Sequence, residues 1–262
     1  MQKGFIGAFD SGVGGLSVLK ELIQTLPHED FVYIADQARI PYGTKNQEQI
    51  RMFSEKITSY LIETGAKCIV IPCNTASAFA LTYLRNKFPN IPFIGMEPAV
   101  KSAVEKTKTG KVGVLATAGT FKSQRYFSLV ERFAQNIEIF EDPCIGLVEL
   151  IENQNKSETT FDLLKKVVTP MIKEDVDTIV LGCTHYPFVL DTLKMILPQN
   201  IQVIDPAPAV AKQTKKRLST LDLQKTEGTG ETSFYTTGEP SILKQQIKDL
   251  LAWEKAVEKL TI

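Results

Sequence analysis

Ile69-Val-Ile-Pro-Cys73-Asn-Thr75 and Ile179-Val-Leu-Gly-Cys183-Thr-His185 follow one pattern, an apolar run that delivers a cysteine into a polar turn. Continuous apolar runs of this kind fit parallel strands buried on both faces. The carboxyl ends of such strands are where open α/β sheets gather their ligands. Both cysteines are therefore expected at ligand-binding ends.

The pattern extends upstream. Ile6-Gly-Ala-Phe-Asp10-Ser-Gly-Val-Gly14 and Val112-Gly-Val-Leu-Ala116-Thr-Ala-Gly-Thr120 are again apolar strands, each with glycine in second place and a small-residue turn. Asp10 lies 63 residues before Cys73, and Ala116 lies 67 before Cys183. The same segments in the same order at near-equal spacing predict two related halves. The fold class expected is α/β, two similar domains with mainly parallel sheets. A pseudo-twofold relation between them would oppose the two cysteine loops across a cleft that holds the site.

Strand-like runs near 4–9, 30–35, 67–72, 91–95, 111–116, 137–140, 177–182 and 201–205 alternate with helical patterns, as α/β architecture requires. From Asn46 a helix is predicted. Asn46 and Gln49 form a capping pair, Ile50, Phe53, Ile57, Tyr60 and Leu61 form one apolar stripe, and Gly65 ends it. Glu97-Pro-Ala and Asp205-Pro-Ala-Pro are matching junctions. They predict a discontinuous first domain, 1–97 plus 207–262, and a second, 98–206. The polar stretch 219–231 reads as a loop, Glu231-Thr-Ser-Phe-Tyr-Thr as a late strand, and the residues from Pro240 as a terminal helix.

Thirty Lys and Arg balance thirty Asp and Glu, so no global field favours nucleic acid or an anionic membrane. The N-terminus, MQKGFIGAFDSG, is too short in its apolar run for a signal sequence, and no apolar stretch reaches spanning length. A cytoplasmic protein with a small neutral or zwitterionic ligand is the natural expectation. Four cysteines without a C-x-x-C pair, and two histidines, suit neither a disulfide framework nor a zinc site. Cys68 and Cys144 read as small buried packing residues.

Asp10-Ser-Gly-Val-Gly-Gly-Leu-Ser17 is a glycine-rich turn whose amides could receive an anion. Ser17 stands where a dinucleotide fingerprint needs glycine, and no G-K-[ST] follows. Cys73 precedes Asn-Thr-Ala-Ser-Ala at an expected helix start, where the dipole favours a thiolate. The same is expected after Cys183, with His185 as an added neighbour. Two opposed thiols suit proton removal on one face of a carbon and proton delivery on the other, which inverts a stereocentre. A covalent thiol enzyme built on Cys183 and His185 stays open but leaves Cys73 idle. A two-lobed amino-acid binding protein also stays open, though binding needs no acid/base pair.

The stretches FDSGVGGLSV at 9–18, ADQARIPYG at 35–43, CNTASA at 73–78 and GCTHYP at 182–187 resemble the aspartate/glutamate racemase family, and within it the glutamate racemases. The resemblance runs from Phe9 to about Ala209. It implies cofactor-independent interconversion of L- and D-glutamate that supplies peptidoglycan, with no metal and commonly a homodimer. By the same resemblance Cys73 and Cys183 are the catalytic acid/bases, assisted by Asp10 and His185, and Glu152 matches the family's acidic position. Glu149 stands where the family usually has proline, and a merely solvated Glu152 stays open. Ser11, Tyr42, Gly43, Asn74, Thr75 and Thr184, with Thr117 and Thr120, resemble substrate contacts. A related racemase acting on aspartate is the neighbouring alternative.

Overall fold

The computed structural model describes residues 4–154 and 158–262; residues 1–3, with which the N-terminal stretch read above begins, and 155–157 lie outside it. Ten strands run in chain order: β1 (Phe5–Asp10), β2 (Phe31–Ala35), β3 (Ala66–Ile71), β4 (Phe93–Gly95), β5 (Lys111–Leu115), β6 (Glu138–Asp142), β7 (Thr178–Leu181), β8 (Gln202–Ile204), β9 (Thr232–Thr236) and β10 (Val257–Lys259). The chain divides into two compact units, Met1–Met96 with Ala207–Ile262, and Glu97–Pro206.

In the first unit the strands stand in the order β10-β9-β2-β1-β3-β4, and in the second in the order β6-β5-β7-β8. Every pairing is parallel. The four-strand order of the second unit repeats β2-β1-β3-β4 of the first, so β1 corresponds to β5 and β3 to β7. In both, the direction of strand addition reverses between the two central strands. That reversal opens a crevice at their carboxyl ends, and each cysteine run ends beside it.

The glycine in second place of each repeated strand has one physical role. A Cβ on Gly7 would lie 2.9 Å from Leu61 Cδ1, and one on Gly113 would lie 2.8 Å from the Met171 sulfur. Leu61 belongs to the helix Gln47–Glu63 and Met171 to the helix Glu158–Lys173. A bare backbone at both positions lets a covering helix seat its side chain against the sheet.

The helix Gln47–Glu63 forms as its sequence predicts. Asn46 and Gln49 complete a reciprocal capping box, and Ile50, Ile57 and Leu61 are buried. Phe53 and Tyr60 pack partly buried against the same core. Gly65 then takes φ +104°, a left-handed conformation that favours glycine.

Two elements differ from expectation. β6 continues beyond residue 140 to Asp142, because an edge strand with only partly buried positions tolerates charged residues. β10, three residues on the far edge, pairs with β9. Val-Glu-Lys is too short and too charged to carry a period, and its placement depends on the neighbour that receives it. Among the described residues no helix is long and apolar enough to cross a membrane.

Candidate functional site

In the first unit the site residues collect at the crevice between β1 and β3. Asp10 ends β1 and is fully buried. The Gly12 amide donates to its Oδ1 at 2.7 Å, and Tyr33 Oη donates to the Gly12 carbonyl at 2.7 Å. The anion received by this amide of the glycine-rich turn is thus the chain's own carboxylate, where the glycines alone suggest an external one. A Cβ on Gly15 would stand 2.7 Å from Asp10 Cβ and 3.0 Å from Pro72 Cγ. Its absence lets the turn settle between the strand ends, with Asp10 on one side and the Pro72-Cys73 corner on the other.

Cys73 occupies the N-cap of the helix Asn74–Lys87, and the Ala76 amide donates to its sulfur at 3.4 Å. That amide donor and the positive end of a helix both favour negative charge on the sulfur. Ser77 pins the helix start, its hydroxyl donating to the Ile71 carbonyl at 3.0 Å and accepting from the Met96 amide at 2.9 Å. Ser11 and Thr75 are buried here. Asn74 is buried too, yet neither its amide oxygen nor its amide nitrogen has a hydrogen-bond partner among the described residues. A buried amide in that state is satisfied only by something polar that arrives.

Tyr42 and Gly43 lie in a short 3-10 turn, Tyr42–Thr44. Tyr42 Oη donates to Asp36 Oδ2 at 2.5 Å. Burial and then the Asp36 charge raise the phenol well above its ordinary range, so it stays a proton donor. The sequence reading does not single out Asp36, although it belongs to the quoted ADQARIPYG stretch. The signal available was a carboxylate directly after a strand with arginine three residues on.

In the second unit the corresponding crevice lies between β5 and β7. Thr117 caps the short helix Ala118–Phe121, with its hydroxyl 3.4 Å from the Thr120 amide and 3.1 Å from the Thr120 hydroxyl. The Gly182 amide donates to the Leu115 carbonyl at 2.6 Å, and a Cβ there would meet Ala116 Cβ at 2.8 Å. This contact sets Cys183 next to the end of β5.

No α-helix starts directly after Cys183. The chain enters a turn, then a 3-10 segment Tyr186–Val189 with Pro187 in its first turn, and only then the helix Leu190–Ile196. Proline lacks the amide an α-turn would need, so the helix-dipole expectation for this thiol is replaced by a side-chain device. His185 Nδ1 lies 3.7 Å from Cys183 Sγ, and its Nε2 lies 2.6 Å from Glu152 Oε1. Burial, the largest single influence, opposes a charged ring, but the bonds to Cys183 and Glu152 and their charges prevail and hold the His185 pKa well above its ordinary value. A proton on each ring nitrogen serves both partners.

Glu152 ends the helix Leu147–Glu152, which begins after Gly146 at φ +90°. Glu149 is exposed within that helix, so the position resembling the family's proline accommodates glutamate without disturbing the contact to His185. Thr184 is buried beside Cys183. Tyr186 and Cys144 also approach this thiol, a neighbourhood that sequence reading missed. Burial and then the Asp142 charge push the Cys144 thiol far up, which leaves it protonated. Among the described residues no group of three or more His, Cys, Asp or Glu side chains is placed to hold a metal ion.

The Asp/Glu/hydantoin racemase family matches residues 9–214 of the chain. A glutamate racemase of Pseudomonas paraeruginosa is 44% identical over 258 residues, covering 98% of this chain and 97% of the relative. Among solved structures, a glutamate racemase isoform from Bacillus anthracis superposes with TM-score 0.92 at 31% identity, covering 100% of this chain and 99% of the other. The Francisella tularensis glutamate racemase in complex with D-glutamate gives TM-score 0.87 at 31% identity, covering 100% and 98%.

Proposed function

The chain belongs to the Asp/Glu/hydantoin racemase family, and we propose that it interconverts L- and D-glutamate by passing protons between the α-carbon and two thiols, Cys73 and Cys183. The observation that carries this reading is that two cysteines in equivalent places of a repeated sheet each have a means of holding negative charge, and the means differ. Cys73 has a helix N-terminus and the Ala76 amide. Cys183 has an imidazole kept protonated beside Glu152. Inert packing cysteines have no use for either device.

One sulfur, as thiolate, takes the α-proton, and the other, as thiol, gives its proton to the opposite face. The carbon is inverted, and the two sulfurs exchange protonation states, which proton exchange with solvent resets. Protons and electrons balance with no other reactant. The α-carbon is a weak acid, so the developing charge needs donors already in place. Asp10 suits the substrate ammonium and assists Cys73, and His185 assists Cys183. The unpaired Asn74 amide and the hydroxyls of Ser11, Thr75, Thr117, Thr120 and Thr184 suit the carboxylates. The Tyr42 hydroxyl is engaged by Asp36, so at that turn the backbone of Tyr42 and Gly43 is what remains for the ligand. In this reading the protein works in the cytoplasm as a homodimer and its D-glutamate serves peptidoglycan.

Conversion of either isomer in D2O tests it. Each product molecule gains deuterium at the α-carbon, with nothing added to buffer and substrate. A polarimeter trace that stays flat at high protein concentration discards the activity and returns the chain to ligand binding.

A further inference from the structure

Arg39 is the one charged residue of the ADQARIPYG stretch, besides Asp36, and the reaction above gives it no part. Its guanidinium makes three contacts, all within the first unit. Nη1 donates to Asp36 Oδ1 at 2.7 Å, Nη2 donates to the backbone oxygen of Ile262 at 2.8 Å, and the group lies 4.8 Å above the Phe53 ring. Phe53 in turn packs against Tyr42 with ring centroids 6.0 Å apart. Asp36 is fully buried, and its other oxygen accepts the Tyr42 hydroxyl. Thr237 closes the group, donating to Asp36 Oδ1 at 2.7 Å and accepting the Ala38 amide at 3.1 Å.

We propose that Arg39 is a positioning residue for substrate binding: through Asp36 and Phe53 it clamps the Tyr42-Gly43 turn, using the chain beyond β10 as its anchor. This rests on the reading that the turn meets the substrate. Arginine suits the task because its planar fork serves two acceptors at fixed angles, here a carboxylate at the site and a backbone oxygen that is 223 residues away in sequence. The anchor is itself held. Leu260 donates its amide to the Thr236 carbonyl at 2.8 Å, and Lys259 Nζ donates to the Thr237 carbonyl at 2.9 Å. Losing the guanidinium leaves Asp36 Oδ1 to Thr237 alone, which widens the range of carboxylate orientations that the phenol follows. A ligand that binds the turn then selects its geometry from a wider set, at a cost in affinity. The three groups that Arg39 itself contacts are Asp36, Ile262 and Phe53, not the side chains of Asp10 or Cys73, so the chemical step is spared.

The test combines steady-state kinetics on Arg39→Gln, Arg39→Lys, Tyr42→Phe and the double variant with fluorine NMR of protein carrying fluorotyrosine at position 42. Arg39→Gln is expected to raise KM about tenfold, the effect of a lost charge-assisted bond, with kcat changed by less than about twofold. Arg39→Lys keeps a cation beside Asp36 but cannot fork to both acceptors, and recovers part of the loss. The double variant is no worse in KM than the more affected single one, because both act on the same turn, and Arg39→Gln shifts or broadens the Tyr42 resonance. An unmoved resonance, KM effects that multiply, or a lysine variant as impaired as glutamine overturns the proposal. A resonance that moves while Tyr42→Phe and Arg39→Gln both leave KM unchanged removes the turn from substrate binding instead, and preserves only the Arg39 contact to Tyr42.

Discussion

Nε2 of His185 lies 2.6 Å from Oε1 of Glu152, and that pairing determines the protonation of a ring that is only 2% exposed. Burial alone would strip the proton from the imidazole, whereas the carboxylate and the Cys183 sulfur keep it on. The folded-state pKa is raised above the ordinary 6.5. The pairing therefore stabilises the fold fully below that value and loses its contribution as pH rises through the folded-state pKa. In Glu152→Gln the loss begins at lower pH, and thermal melts across an alkaline series read it directly. Superimposable alkaline limbs for the two proteins would mean that Glu152 does not hold the proton.

The two thiols are expected to be separately indispensable. Cys73→Ala and Cys183→Ala each lower racemisation by about 10²- to 10⁴-fold, the range for a single acid/base group. Both variants keep the wild-type circular dichroism, since each alters one small side chain at a strand end. Near-normal turnover in either one eliminates the two-thiol mechanism.

Asn74 predicts an exchange of stability for function. Its amide is buried without a hydrogen-bond partner among the described residues, so removing it relieves an uncompensated desolvation. Alanine at this first helical position also has the better helix propensity, by about 0.5 kcal/mol. Asn74→Ala should melt at or above the wild-type temperature while KM for glutamate rises about tenfold, the effect of one lost hydrogen bond. A variant that melts lower and binds glutamate normally would make the residue structural.

Gly182 tests the packing that seats Cys183. A methyl group there would stand 2.9 Å from the Leu115 carbonyl oxygen and 2.8 Å from Ala116 Cβ, and a strand backbone cannot step aside as a flexible side chain can. Gly182→Ala should lose about 1–3 kcal/mol of stability and most activity, as urea unfolding and turnover together measure. Gly113→Ala is the control, because its neighbour is the Met171 sulfur, the end of an adaptable side chain. Equal costs at both positions would refute the distinction.

Strand placement, the repeat and the location of both cysteines at strand ends are written in local sequence. Apolar runs, glycine positions and caps act over a few residues, and the unbranched order of short α/β crossovers carries them into a sheet. Cys73 at a helix N-cap belongs to that class, since the cap and its amide are three residues apart. The resemblance to a family points to Glu152, while the pattern of its helix leaves a merely solvated side chain open. Its bond to His185 spans 33 residues, and those that join Thr237 and Ile262 to the Asp36 cluster span 201 and 223. Contacts of that reach leave no periodicity in the chain, because their geometry exists only after distant elements have packed and excluded water. Sequence places the two sulfurs at strand ends, and only the folded chain sets a different neighbour beside each, a helix end and its amide for Cys73 and the His185-Glu152 pair for Cys183.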